Sequence, residues 1–210
     1  MNNPAPLAGG LYAITNGPRA DLLDVVAQAL AGGARLLQYL NEETGDARRH
    51  AEAAAILQLC RSHGVPLIIH EDLDLARTIG AEGVHLAHST DRIRAARECL
   101  GAAAIVGVAC RDSLQIARTA ARTGASYVSF GAMFPSPTKP TAAIAPVDLL
   151  RQSVALGVAR VAIGGITPDN AKALIEAGAD YVASIASLFG AADVRRAAQR
   201  FAQLFPQSSH

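Results

Sequence analysis

Gly33-Ala34-Arg35-Leu36-Leu37-Gln38-Tyr39 is a Gly-Ala pair followed at once by a short apolar run. The pair returns as Gly80-Ala81, Gly124-Ala125 and Gly178-Ala179, each time ahead of another such run. Glycine suits the left-handed residue that ends a helix, so each pair reads as a helix end feeding a strand. One more apolar run lies between successive pairs. Together the runs give strands at Gly10–Ile14, Leu36–Tyr39, Leu67–Ile69, Gly83–Leu86, Ile105–Val108, Tyr127–Phe130, Arg160–Ile163 and Tyr181–Ile185. Helical patterns fall at Asp21–Ala31, Asp46–His63, Leu73–Ile79, Asp91–Leu100, Ser113–Thr123, Pro146–Leu156, Pro168–Ala177 and Ala191–Leu204. Strands that alternate with single helices imply a parallel sheet. Four repeats of a (βα)₂ unit predict an α/β fold, a (β/α)₈ (TIM) barrel. The competing open, doubly wound sheet would want a Gly-rich turn after its first strand. Ile14-Thr15-Asn16-Gly17-Pro18 lacks that form.

Composition agrees with one domain. At 210 residues the chain matches the usual size of such barrels. Residues 1–205 are expected to form it, with a loose tail at 206–210. Half the residues are hydrophobic and there is no Trp. The core is therefore expected to be Ala, Val, Ile and Leu. A net charge of +1 offers no field for nucleic acid or an acidic membrane. Cys60, Cys99 and Cys110 are odd in number and form no CxxC pair. They read as small buried hydrophobes in a reducing compartment. Met1 to Ala8 is polar and Pro-rich, unlike a signal peptide, and no apolar run is long enough for a membrane span. The expectation is a cytoplasmic protein; whether it forms a homodimer stays open.

In this fold, chemistry collects at the C-terminal ends of strands. Those ends here are Gln38-Tyr39-Leu40-Asn41-Glu42, His70-Glu71-Asp72, His85-Leu86-Ala87-His88-Ser89-Thr90, Ala109-Cys110-Arg111, Gly164-Gly165-Ile166-Thr167 and Ser184-Ile185-Ala186-Ser187. The sixth strand leads into Gly131-Ala132-Met133-Phe134-Pro135-Ser136-Pro137-Thr138-Lys139-Pro140, which carries one of only two lysines in the chain. Its three prolines restrict the backbone around Ser136, Thr138 and Lys139. Two hydroxyls and one ammonium held in this way suit a phosphate or pyrophosphate; the alternative is an ordinary Pro-rich surface loop. Gly164-Gly165 lets backbone approach a ligand, and amides of Ile185 and Ala186 would complete a phosphate cradle. A tight turn is the plainer reading of the two glycines. His70 and His88 sit where an acid or base could act near neutral pH.

These pieces together resemble the thiamin phosphate synthase family, of which a related branch acts as a thiazole tautomerase. The resemblance runs from Gly10-Leu11-Tyr12-Ala13-Ile14-Thr15 to the last helix. It is carried by Gly33 to Tyr39, Gly64-Val65-Pro66-Leu67-Ile68-Ile69, Gly83-Val84-His85-Leu86, Pro137-Thr138-Lys139-Pro140 and Ala162-Ile163-Gly164-Gly165-Ile166. It implies a transferase that joins an aminopyrimidine methyl pyrophosphate to a thiazole phosphate, with Mg²⁺ helping pyrophosphate to leave. Carried over by position, the thiazole-phosphate half falls on Ser136, Pro137, Thr138, Gly165, Ile185 and Ala186. The pyrimidine and pyrophosphate half falls on Gln38, Tyr39, Leu40, Asn41, Glu42, His70, Ala109 and Lys139, with Lys139 and His70 as the catalytic candidates. The metal positions fall on Glu71 and Thr90.

The chain departs from the family at one end of this site. The family's Gln-x-Arg-x-Lys becomes Gln38-Tyr39-Leu40-Asn41-Glu42, which replaces two cations by an apolar residue and an acid. Its Asn-Asp becomes His70-Glu71, and its second metal aspartate becomes Thr90, with Asp91 one residue late. A serine becomes Ala109 and another becomes Ala186. Arg111 is a candidate replacement cation. The tautomerase histidine falls on Ala132, which argues against that activity. Three functions follow: the synthase with an altered pyrophosphate and metal half-site; a barrel that binds a thiazole phosphate or thiamin phosphate without making it; and altered chemistry by His70 and Glu71 on another phosphorylated substrate.

Overall fold

A computed structural model describes residues 7–42, 45–136 and 141–206. Among them are eight strands: β1 (Gly10–Ile14), β2 (Ala34–Tyr39), β3 (Leu67–His70), β4 (Gly83–Ala87), β5 (Ile105–Arg111), β6 (Tyr127–Phe130), β7 (Ala159–Ile163) and β8 (Tyr181–Ser184). All neighbours pair in parallel, and β8 returns to β1 to close the barrel. The expected (β/α)₈ architecture is the observed one.

The helices are α1 (Leu22–Ala31), α2 (Asp46–Ser62), α3 (Leu73–Ile79), α4 (Thr90–Leu100), α5 (Leu114–Thr123), α6 (Asp148–Gln152), α7 (Ala171–Glu176), α8 (Ala186–Phe189) and α9 (Val194–Ala202). Asp72, Ser89, Ser113 and Asp193 cap α3, α4, α5 and α9 through side-chain oxygens, as short polar residues do at helix starts. The expected helix at Pro146–Leu156 is α6 followed by a 3₁₀ turn at Val154–Leu156. α8 was not expected; at four residues it is too short to show a helical period.

Strand alternation builds two cores. Leu11, Ala13, Leu37, Ile69, Val84, Leu86, Val106, Val108, Val128, Phe130, Ala162 and Val182 face outward into the layer shared with the helices. Tyr12, Ile14, Leu36, Ile68, Ile105, Tyr127, Val161, Tyr181 and Ala183 fill the barrel itself. The outer layer is mainly aliphatic, with Tyr39, Phe130, Phe189 and Phe201 added to the expected residue types, whereas three tyrosines occupy the inner one. Gly107 makes room for one of them: a Cβ there would lie 1.9 Å from the Tyr127 ring. Cys60 and Cys110 are buried as expected, and burial pushes each thiol up to about 12. Cys99 is exposed, on the solvent side of α4. No helix among the described residues is long and apolar enough to cross a membrane. Most of the expected loose tail, residues 207–210, lies outside the described residues, as do Pro137, Thr138, Lys139 and Pro140.

Candidate active site

The floor of the C-terminal mouth is a chain of hydrogen bonds across the barrel interior. The Tyr12 hydroxyl donates to Gln38 Oε1 at 2.7 Å. Its one proton is then spent, so at its 2.7 Å contact with Tyr127 the Tyr127 hydroxyl donates. Tyr127 in turn accepts from His85 Nδ1 at 2.9 Å. At the other end the Gln38 amide Nε2 donates to His70 Nδ1 at 3.1 Å, which leaves the His70 proton on Nε2. That nitrogen faces Glu42 Oε1 at 3.5 Å. A carboxylate only accepts, so Glu42 selects this tautomer and with it the orientation of the Gln38 amide. The two histidine rings stack, 6.2 Å apart. Burial, and then the nearby His70, lower His85 to about 3. Burial likewise raises the Tyr12 and Tyr127 hydroxyls well above their ordinary range.

The sequence-derived candidates divide by the face they occupy. Gln38 and His70 point inward, and the half-buried Leu40 packs against the inner core. The Leu40 backbone is clasped by Thr15, whose hydroxyl donates to Leu40 O and accepts from Leu40 N–H. Tyr39 belongs to the outer layer. Its hydroxyl donates to Glu52 of α2 at 2.7 Å and accepts from Asn41 at 3.2 Å. Asn41 also donates to Glu52. Tyr39 and Asn41 thus brace the loop after β2 through polar groups already bonded to α2. Burial pushes the Glu52 carboxyl up, but hydrogen bonds from Tyr39, Arg48 and Asn41 outweigh it and hold it low. Ala109 is half-buried at the end of β5, where a bulge gives Arg111 a φ of 53°. Arg111 is exposed, outside the cavity that holds Glu42 and His70. His88 is exposed as well.

On the opposite side, the segment after β6 continues to pair with β7. Met133 N–H donates to Ile163 O and Phe134 N–H to Gly164 O. This lays Phe134 and Pro135 over Gly165 and Ala132 against Gly164. Gly165 has φ 63°, and a Cβ on it would lie 2.5 Å from Pro135 O and 2.6 Å from Phe134 O. Its small size therefore admits the loop, a different reason from close approach to a ligand. Ile185 is half-buried and Ala186, the first residue of α8, is exposed. Ser187 bonds Ser184 at 2.7 Å and also the carbonyl of Ile166, which ties the β8 end to the β7 end.

A cavity of about 770 Å³ opens at the N-terminal end of the barrel, away from this chemistry. A second, of about 550 Å³, lies at the C-terminal end, lined by Asn41, Glu42, His70, Glu71, Arg49 and Arg92 among others. Arg49 and Arg92 were missed by sequence reading, because their partners are 23 and 21 residues away. Tyr12 and Tyr127 were not among the site candidates, and His85 was named only within a strand-end run with no role, although alternation puts each of them inside the barrel.

Residues 11–188 match the family described as "Thiamine monophosphate synthase". The chain belongs to the thiamine monophosphate synthase family. It is 50% identical to the thiamine-phosphate synthase of Chromobacterium violaceum, over 95% of this chain and 98% of that relative. It is 50% identical to the one of Thiobacillus denitrificans, over 94% and 95%. A solved thiamine phosphate pyrophosphorylase from Pyrococcus furiosus superposes with a TM-score of 0.84 at 29% identity, over 95% of this chain and 96% of that one. An enzyme of the thiamine-phosphate synthase type, acting in thiamine biosynthesis, is thereby supported.

The Mg²⁺ that the family resemblance implies does not fit the residues present. The Glu71 carboxylate accepts from Ala87 N–H and from Arg92 Nη1, which sets a positive charge beside the oxygens a divalent cation would need. Thr90 is the first residue of α4, and Asp91 is exposed beside Arg94 at 3.6 Å. Among the described residues no three His, Cys, Asp or Glu side chains are grouped to hold a metal.

Proposed function

We propose that this protein joins a thiazole phosphate to an aminopyrimidine methyl pyrophosphate, through a pyrophosphate half-site of altered charge. The C–O bond between the pyrimidine methylene and pyrophosphate breaks, and its electron pair leaves on the pyrophosphate oxygen. The thiazole nitrogen lone pair forms the new C–N bond, and the ring becomes a thiazolium. The observation that carries this reading is the loop after β6 laid over Gly165 through Phe134 and Pro135. It supports a thiazole-phosphate cradle of Ser136, Pro137, Thr138, Gly165, Ile185 and Ala186. Gln38 and His70 supply the polar floor for the pyrimidine, with Tyr39 and Asn41 behind it. His70 acts there as an Nε2–H donor. Lys139, outside the described residues, is the remaining cation that the resemblance assigns to the pyrophosphate. Ala109 leaves space where the family carries a hydroxyl.

A second reading is favoured by the carboxylates Glu42, Glu71, Asp72 and Asp74, which line the cavity beside only two arginines. In that reading the barrel binds a thiazole phosphate or thiamine phosphate without forming it. An assay of both substrates over several hours decides between them. Thiamine phosphate that appears, and falls about a hundredfold or more in Lys139→Ala, supports coupling. No product, with saturable thiazole-phosphate binding by calorimetry, supports the second reading.

A further inference from the structure

The space beside Leu40 and Glu42 lacks the two cations of the family pattern, yet two guanidiniums enter it from the helices. Arg92, in the first turn of α4, donates from Nη1 to the Glu71 carboxylate and from Nη2 to Glu71 O at 2.5 Å. Arg49, in the first turn of α2, donates from Nη2 to Asp72 at 2.7 Å and from Nη1 to Asp46 at 3.4 Å. Both line the 550 Å³ cavity with His70, Glu42 and Glu71. Arg49 Nε is buried with no acceptor among the described residues, so this guanidinium is short of partners. The carboxylates around them are capping or exposed. Asp72 also caps α3 through Leu75 N–H, Asp74 is exposed, 3.8 Å from Arg77, and Glu42 is 74% exposed. A guanidinium on Glu71 opposes a divalent cation there by charge. It also presents a planar fork of donors suited to phosphate oxygens.

We infer that Arg92, seconded by Arg49, is the cation that receives the substrate's pyrophosphate, in place of a resident Mg²⁺. The inference rests on the coupling reading for its ligand, and its test is separate. Calorimetric titration of the full chain with inorganic pyrophosphate in EDTA should give saturable binding. Arg92→Gln should weaken it at least tenfold, Arg49→Gln severalfold, and Arg92→Lys less than Arg92→Gln. Arg94→Gln, on the same helix but outside the cavity, should leave it unchanged; thermal melts establish that each variant is folded. Binding that requires added Mg²⁺, no binding in either condition, or equal affinity in folded Arg92→Gln and wild type overturns the inference. Pyrophosphate bound through Arg92 with no thiamine phosphate formed would instead reject coupling alone. Product that depends on Mg²⁺ and ignores Arg92 would reject only the metal substitution.

Discussion

At the residue scale, the barrel floor is a set of directed hydrogen bonds with one consistent proton assignment. His70 carries its proton on Nε2 and His85 on Nδ1, opposite tautomers of two stacked rings. ¹⁵N NMR of the imidazoles should show the two patterns; the same tautomer at both positions would break the chain of donors. Tyr127→Phe removes the hydroxyl that serves both His85 and Tyr12. It should cost about 1–3 kcal/mol in denaturant unfolding, the usual penalty for stranding buried polar groups. Little of this was legible in the sequence. Gln38 and His70 were, because they sit at strand ends of the right parity. His85 and Tyr127 meet because β4, β5 and β6 pair in register, His85 opposite Gly107 and Gly107 opposite Tyr127, and residues 42 positions apart leave no local pattern.

At the element scale, the loop after β6 depends on β7 as much as on its own prolines. Gly165→Ala places a Cβ against the carbonyls of Phe134 and Pro135 and strains a φ of 63°. It should weaken thiazole-phosphate binding tenfold or more while the melting temperature falls by only a few degrees; unchanged affinity would separate the loop from the cradle. Strands and most helices were readable from apolar runs, capping residues and the Gly-Ala pairs. Gly80 and Gly124 do sit left-handed at helix ends, and Gly33 and Gly178 one residue beyond. What the pattern could not show was the division of α6 from its 3₁₀ turn, the presence of α8, or ion pairs that join one βα unit to the next.

At the scale of the whole molecule, one buried imidazole couples stability to pH. His85 titrates near its ordinary 6.5 when unfolded and at about 3 when folded. The unfolded chain therefore binds more protons between those values, so this contribution is complete above pH 6.5 and is lost as pH falls toward 3. The slope approaches about 1.4 kcal/mol per pH unit from this group alone. Unfolding free energies across pH 7 to 5 should show a steeper loss in wild type than in His85→Gln; equal slopes would place the pH dependence elsewhere.

The β8–β1 pairing that closes the barrel has a consequence during synthesis. A nascent chain that lacks Tyr181–Ser184 presents two open strand edges, one on β1 and one on β7. Unpaired edges recruit other strands, so the growing polypeptide is exposed to misassembly until Tyr181–Ser184 has been made. Only then can the ring shut.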